Sequence, residues 1–307
     1  GAASRSVAAN SIEIKTSGTA RYHNLNVVGN TKKDNVVISR SGELGILDDS
    51  GREKERYKIP YGAVITIKDE AKVAMGQTVA TWDPYTTPFI TETAGIVEFK
   101  DFEDGVSIDR VTDDLTGIET ILVKDQTSVS FDKNLKPMVK LVDSKGQDIL
   151  ITNSSLPAHY ILPSRSNVSL TEGMKVGVGD TIARTPRETS GTRDITGGLP
   201  RVADLFEART PKDKAELAEK TGVVSFGKET KGKRRLEITF TNNEGVEEKH
   251  IQMLAKTKLL NVFEGAKVEK GEIISEGELD PHDILRYRGI TQLAEHIVKE
   301  VQDVYRL

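Results

Sequence analysis

Gly227-Lys228-Glu229-Thr230-Lys231-Gly232-Lys233-Arg234 comes within one residue of the phosphate loop Gly-x-x-x-x-Gly-Lys-Ser/Thr. In that loop backbone N–H groups cradle the phosphates, the Lys reaches them and the final hydroxyl holds Mg²⁺. Here Arg234 replaces the hydroxyl residue, and Leu236-Glu237-Ile238-Thr239-Phe240 reads as a strand where a helix N-terminus is needed. The residues predict a solvated basic hairpin instead. Lys228, Lys231, Lys233, Arg234 and Arg235 are its candidate contacts to nucleic-acid phosphates.

Other patterns carry less. The histidines at 23, 159, 250, 282 and 296 include no pair at helical ligand spacing, so no zinc site is indicated. Asp101-x-Glu103-Asp104-Gly105 and Asp113-Asp114 lack the rhythm of a calcium loop and read as turn residues. Ser154, Ser155 and Ser164 sit in no nucleophile elbow. The chain has no cysteine, which removes disulfides, thiolate metal sites and thiol nucleophiles and suits a reducing compartment. A net charge of −4 argues against a general polyanion-binding domain, and 5% aromatic content with one Trp argues against a broad base-stacking surface. No apolar run approaches the roughly 18 residues that cross a membrane. No self-contained active site emerges.

The elements behind these residues are mostly strands. From Ser11 to about Thr185, β-branched runs such as Ala63-Val64-Ile65-Thr66-Ile67 and Val139-Lys140-Leu141-Val142 alternate with turn residues, and no amphipathic helix is evident. The chain repeats itself. Glu70-Ala71-Lys72-Val73-Ala74-Met75-Gly76, Gly173-Met174-Lys175-Val176-Gly177-Val178-Gly179 and Gly265-Ala266-Lys267-Val268-Glu269-Lys270-Gly271 share Lys-Val-x-x-Gly, with an aliphatic residue three places beyond the last Gly. The positions of Gly76, Gly179 and Gly271 predict hairpin tips at positive φ. A second motif, Glu-x-x-Gly-aliphatic-Val-x-Phe, occurs at 92–99 and 219–226. Together they predict a mainly β fold of repeated small sandwich–barrel hybrid modules. Such modules also carry lipoyl or biotinyl groups, but the predicted tips are Gly, with the Lys residues four places earlier, so a carrier is disfavoured.

Between Arg187 and Thr210 the texture changes. A polar, Gly-rich stretch ending in Gly197-Gly198 predicts a hinge. Leu199-Pro200-Arg201-Val202-Ala203-Asp204-Leu205-Phe206-Glu207-Ala208-Arg209 predicts a short helix near 200–209, with Leu199, Val202, Leu205 and Phe206 as its apolar stripe. Asp280-Pro281-His282-Asp283 reads as a helix start, and Leu293, Ile297, Val301 and Val304 mark a C-terminal helix near 290–306. Gly1-Ala2-Ala3-Ser4-Arg5 and the open-ended stripe at Leu307 suggest a piece of a longer protein.

Thr192-Arg193-Asp194-Ile195-Thr196-Gly197-Gly198-Leu199-Pro200-Arg201 and its continuation to Arg209 resemble the C-terminal arm of the trigger loop in the largest (β′) subunits of bacterial DNA-directed RNA polymerase. Ser225 to Leu236 resembles the adjoining jaw. Leu260 to Gly265, Pro281 to Arg286 and Glu300 to Leu307 extend the likeness, and Gly1 to Arg5 resembles the stretch beyond the other trigger-loop arm. The resemblance implies a trigger-loop insertion of two β hybrid modules, nested or not, over 1–187. It further implies the trigger-loop arm over 188–210, a jaw-like β module over 211–279 and a helical segment over 280–307.

By that resemblance the chain helps a nucleotidyltransferase act in transcription, modulating nucleotide addition and pausing. Thr192, Asp194, Thr196, Gly197, Gly198, Leu199, Pro200 and Arg201 would form the hinge and arm. The implied partners are the other polymerase subunits, downstream DNA near the jaw and secondary-channel factors, in the cytoplasm at the nucleoid and not at a membrane. The family's nucleotide-facing His, its Mg²⁺-binding Asp cluster and its zinc-binding cysteines have no counterpart in this sequence. No catalytic or metal residue and no cofactor is therefore assigned, and Mg²⁺ and Zn²⁺ are expected elsewhere in the parent subunit. The isolated piece is expected to be inactive. The alternative is a free-standing β interaction module that binds other proteins.

Overall fold

The computed structural model describes residues 9–188 and 196–305. The chain divides into two compact units, Gly1–Arg187 and Glu188–Leu307. Strands dominate the first, where no helix occurs between residues 9 and 188, while the second sets four strands beside three helices among the described residues.

The first unit is one strand plan used twice. Over 11–81, a five-stranded antiparallel sheet runs in the order Ser11–Glu13, Thr78–Thr81, Val64–Ile65, Asn35–Val37, Val27–Gly29. It faces a four-stranded sheet ordered Glu53–Lys58, Glu43–Leu47, Gly18–His23, Lys72–Val73. Ile14, Ala20, Leu44, Ile46, Ile59, Ile65 and Val79 fill the space between them. Over 86–186 the plan recurs strand for strand. Five strands are ordered Thr86–Ile90, Thr181–Pro186, Asn167–Val168, Glu119–Val123, Ile108–Thr112, and four are ordered His159–Ile161, Met138–Val142, Gly95–Lys100, Lys175–Val176.

The second unit keeps the four-stranded half, ordered Glu247–Ala255, Lys233–Thr241, Gly222–Phe226, Lys267–Val268. Isolated bridges at Lys214–Glu278, Leu217–Ile273 and Leu260–Ser275 stand where the other modules have a second sheet.

The repeat is one of backbone wiring. Gly18 pairs with Val73, Gly95 with Val176 and Gly222 with Val268, in the same antiparallel register. Two residues on, the N–H groups of Ala20, Val97 and Val224 donate to the carbonyls of Ala71, Met174 and Ala266 at 2.8, 2.9 and 2.8 Å. The N–H groups of Gly76, Gly179 and Gly271 donate to the carbonyls of Ile14, Thr91 and Ala218 at 2.7, 2.8 and 2.8 Å. Val79, Ile182 and Ile274, three places after those glycines, are all fully buried.

Gly76, Gly179 and Gly271 do have φ of 85°, 89° and 88°, but they are not hairpin tips. In the first unit the strands on either side of each glycine lie in different sheets: Lys72–Val73 pairs with Gly18–His23, whereas Thr78–Thr81 pairs with Ser11–Glu13 and Val64–Ile65. The turn is a corner that carries the chain from one sheet to the other. Sequence spacing cannot separate the two cases, because both need a tight turn between buried aliphatics.

The three helices among the described residues all fall in the second unit. The first, α1, spans Gly198–Phe206, starting two residues and ending three residues earlier than the sequence suggests. It stops because Ala208 turns left-handed, with φ 53°, while Ala208 and Arg209 N–H groups close back on Leu205 and Asp204 carbonyls. The second, α2, spans Pro281–Arg288; Asp280 caps it by accepting from His282 N at 3.0 Å, with Pro281 in the first turn. The third, α3, spans Ile290–Tyr305 after Gly289 breaks the chain direction at φ 94°.

One residue breaks the repeat at a cost. Glu70 sits at φ 65°, where the other modules place Gly173 and Gly265 at 86° and 93°. Left-handed backbone costs a residue with a Cβ about 1 kcal/mol, so Glu70→Gly is expected to stabilise the first module by up to that amount. Chemical denaturation checks it, and Gly173→Glu should have the opposite sign.

Candidate functional site

The arm is fastened at two points. Arg201 on α1 donates from Nη2 to Glu300 Oε2 of α3 at 3.1 Å and places Nη1 3.7 Å from Glu278 Oε2. Just beyond the helix, His282 Nε2 of α2 donates to the Ala208 carbonyl at 2.9 Å. Of the expected apolar stripe only Leu205 is buried, at 3% exposure. Val202 is half-buried, while Leu199 and Phe206 are 73% and 72% exposed. The helix is thus held more by charged and polar ties than by a packed stripe.

Upstream the restraint ends. Thr196, Gly197, Gly198, Leu199 and Pro200 are all exposed. Gly197 is extended, at φ −116° and ψ 175°, and a Cβ there would meet open space. Gly198 has φ 66°, a conformation that only glycine takes cheaply. Thr192 and Asp194, named with the hinge, lie outside the described residues.

Charged groups lock the ends of these helices. Burial opposes the Lys214 charge, but its 3.2 Å hydrogen bond to Asp283 of α2 holds its pKa above the ordinary lysine value. Burial also raises the Glu216 carboxyl nearby. Glu219 takes the Tyr287 hydroxyl at 3.0 Å and lies 2.5 Å from His250 Nε2, tying α2 to the sheet. His296 on α3 is pushed toward its neutral form, first by burial and then by the Arg201 and Lys299 charges, against the pull of Glu300. Its Nε2 is buried and meets no hydrogen-bond partner among the described residues.

The basic stretch forms the predicted hairpin. Thr230 and Lys233 exchange backbone hydrogen bonds of 3.0 and 2.9 Å across Lys231-Gly232, at φ 45° and 76°. Positive φ at both central residues is the geometry of a type I′ turn. A strand, not a helix, follows, so the phosphate-loop reading fails on the fold as well. The five cations differ in their surroundings. Arg234 faces Glu229 at 3.9 Å and lies over the Phe226 ring at 5.9 Å, and Arg235 faces Glu237 at 3.1 Å. Lys228, Lys231 and Lys233 are exposed and pair with no carboxylate among the described residues.

Sequence reasoning missed the Arg201–Glu300–Glu278 tie and the His282 contact, whose partners lie 74 to 99 residues apart. Nothing in the spacing of those residues signals them. Among the described residues, no three His, Asp or Glu side chains are grouped to hold a metal ion, and no helix is long and apolar enough to cross a membrane.

The whole chain, residues 1–307, matches the family described as RNA polymerase Rpb1, domain 5. Its similar relatives include proteins named DNA-directed RNA polymerase subunit beta′. The one from Shewanella amazonensis is 54% identical over 308 residues, and the one from Saccharophagus degradans is 55% identical over 311. That of Pseudomonas aeruginosa is 53% identical over 308. Each alignment covers 100% of this chain and 22% of the relative, so the chain spans about a fifth of the length of the proteins it matches.

The environment of His296 sets a pH dependence. Its folded pKa lies below the ordinary histidine value, so the unfolded chain takes up the proton first. Stability of the second unit is expected to be full above that value and to fall as pH drops through it, by at most about 1.4 kcal/mol per pH unit for one proton. Denaturation of the chain and of His296→Gln between pH 5 and about 8 checks this: the variant should show the shallower profile.

Proposed function

The chain belongs to the family described as RNA polymerase Rpb1, domain 5, and on that premise we propose that it works within the largest subunit of a bacterial DNA-directed RNA polymerase. In this reading it supplies the trigger-loop insertion, the C-terminal arm of that loop and the jaw. The observation that carries the reading is the contrast along α1: Arg201 and Ala208 are tied to α3 and α2, while the helix begins at an unrestrained left-handed Gly198.

Such a helix is anchored from Arg201 to Ala208 and free to lengthen only upstream of Gly198. With Gly198 left-handed, the helix cannot propagate upstream. Were Gly198 right-handed, preceding residues could add turns against an anchored base. Closing over a bound nucleoside triphosphate would then align its phosphates and exclude water, and fraying would reopen the site. The insertion over residues 1–187 adds a load that biases this balance. The chain's own groups hold and gate. Nucleotidyl transfer belongs to the assembled enzyme, with its Mg²⁺- and Zn²⁺-binding residues elsewhere in the parent subunit, and the isolated chain is inactive. Other polymerase subunits and secondary-channel factors are the protein partners, in the bacterial cytoplasm where transcription occurs.

The hairpin at Lys228, Lys231 and Lys233 is proposed to lie along downstream duplex DNA. Unpaired ammonium groups at an exposed tip neutralise phosphates without reading bases.

Two experiments test the reading. Gly198→Ala removes the preference for left-handed backbone, shifting the balance toward helix by about 1–2 kcal/mol. In the assembled polymerase, single-nucleotide addition should quicken and pauses shorten, whereas Gly197→Ala, at an extended residue, should change them less. Unchanged rates for Gly198→Ala would remove the hinge. Replacing Lys228, Lys231 and Lys233 by Glu should weaken retention of downstream DNA and flatten its salt dependence by about one unit of slope for each phosphate no longer neutralised. An unaltered salt slope would place the hairpin away from DNA.

A further inference from the structure

The corner turn recurs in all three modules as Ala74-Met75-Gly76-Gln77, Gly177-Val178-Gly179-Asp180 and Glu269-Lys270-Gly271-Glu272. Each is closed by the N–H of its last residue donating to the carbonyl of its first, at 3.1, 3.1 and 3.0 Å. In each, the last side chain folds back to accept the first residue's N–H: Gln77 Oε1 at 3.1 Å, Asp180 Oδ2 at 2.8 Å and Glu272 Oε1 at 2.7 Å. The three turns are one construction.

Two of them are covered. The turn of the second module rests on the first module, where Thr31 donates its N–H at 3.0 Å and its hydroxyl at 2.8 Å to Asp180 Oδ1. Val28 lies so close that a Cβ on Gly179 would come within 2.9 Å of its Cγ2. The turn of the third module meets α2: Arg288 donates from Nε to the Gly271 carbonyl at 2.7 Å, and its Cγ would lie 2.8 Å from a Cβ on Gly271. The two occupants differ in sequence but share a chemistry. Each lays an aliphatic group on the glycine and points a hydrogen-bond donor at the turn.

Among the described residues, the turn of the first module carries no such occupant; Ser17 of the same module accepts the Met75 N–H on its Oγ at 3.1 Å, as Thr221 accepts that of Lys270 at 2.9 Å in the third. Met75 is 71% exposed, and among the described residues the only atom near a Cβ on Gly76 would be Glu13 Oε1 at 4.0 Å. We propose that residues 74–77 are a docking surface for a protein loop of another polypeptide, one that presents an aliphatic stem ending in or flanked by a hydrogen-bond donor, as Arg288 and the Val28–Thr31 segment do. Met75 suits the role because its unbranched thioether adapts to the shape laid on it. Gln77 replaces the Asp180 carboxylate, so the surface takes a donor without demanding a positive charge. The inference rests on the internal repeat and stands independently of the transcription reading.

The test is photo-crosslinking in cells with the full-length parent protein, carrying a benzophenone amino acid at Ala74 next to the native Met75. A parallel protein carries it at Leu115, which is 96% exposed and lies in the turn between the paired strands Ile108–Thr112 and Glu119–Val123 rather than in a corner turn. The expected result is a protein crosslink from position 74 that maps to a loop holding an arginine, or a threonine or serine beside an aliphatic residue. Position 115 should give none, and Met75→Asp should reduce the yield at least about fivefold. A yield from position 74 no higher than from 115, a yield indifferent to Met75→Asp, or a crosslink to nucleic acid or to a second copy of the same protein would overturn it. Co-purification with polymerase subunits is scored on the same samples. Its failure would count against the transcription reading, while the crosslink would still decide this one.

Discussion

Every module of this chain depends on a backbone corner whose amide groups cannot be left unpaired. After the Lys-Val strand the chain leaves one sheet, to enter another in the first unit and an isolated bridge in the second, and an N–H without an acceptor at such a corner costs up to about 1–3 kcal/mol where it is buried. The solution is the same each time: Ile14, Thr91 and Ala218 each offer a carbonyl to the corner glycine and donate their own N–H to the carbonyls of Gln77, Asp180 and Glu272. Once these bonds are fixed, the register of the Lys-Val strand against Gly18, Gly95 and Gly222 follows. So does the inward placement of Val73, Val176 and Val268.

That constraint explains what was legible in the sequence. The Lys-Val-x-x-Gly spacing, the mainly β texture, the helix start at Asp280 and the basic hairpin could all be read, because each is set by residues within about a dozen positions of one another. The Gly-aliphatic-Val-x-Phe motif shows two copies in sequence but has three in space. The third, Gly18-Thr19-Ala20-Arg21-Tyr22, keeps the glycine, a small buried residue and an aromatic that packs on the core, which is all the register requires. Sheet membership was not legible, since a corner and a hairpin tip make the same local demand. Nor were the ties of Arg201 and His282, where polar groups meet across long stretches of chain.

The arm shows how little apolar burial an element needs when charge holds it. Leu205 is the only buried residue of α1, and α3 has none, yet Arg201, Glu278, Glu300 and His296 gather at their junction. Arg201, Glu300 and Glu278 are only partly buried there, at 18%, 28% and 36% exposure, so water can replace part of each bond when the junction opens. A packed stripe would have bound α1 more firmly and made its end less able to change.

The pairing of first with last strands has a bearing on how the chain is made. Ser11–Glu13 waits for Thr78–Thr81, and Thr86–Ile90 waits for Thr181–Pro186, so neither five-stranded sheet closes until nearly all of its module has been synthesised. Such distant pairing folds slowly and leaves strand edges bare meanwhile. Because the two modules follow one another along the chain, the earlier one can finish before the later has left the ribosome, and the ribosome's own order of work keeps two nearly interchangeable sets of strands from being exchanged.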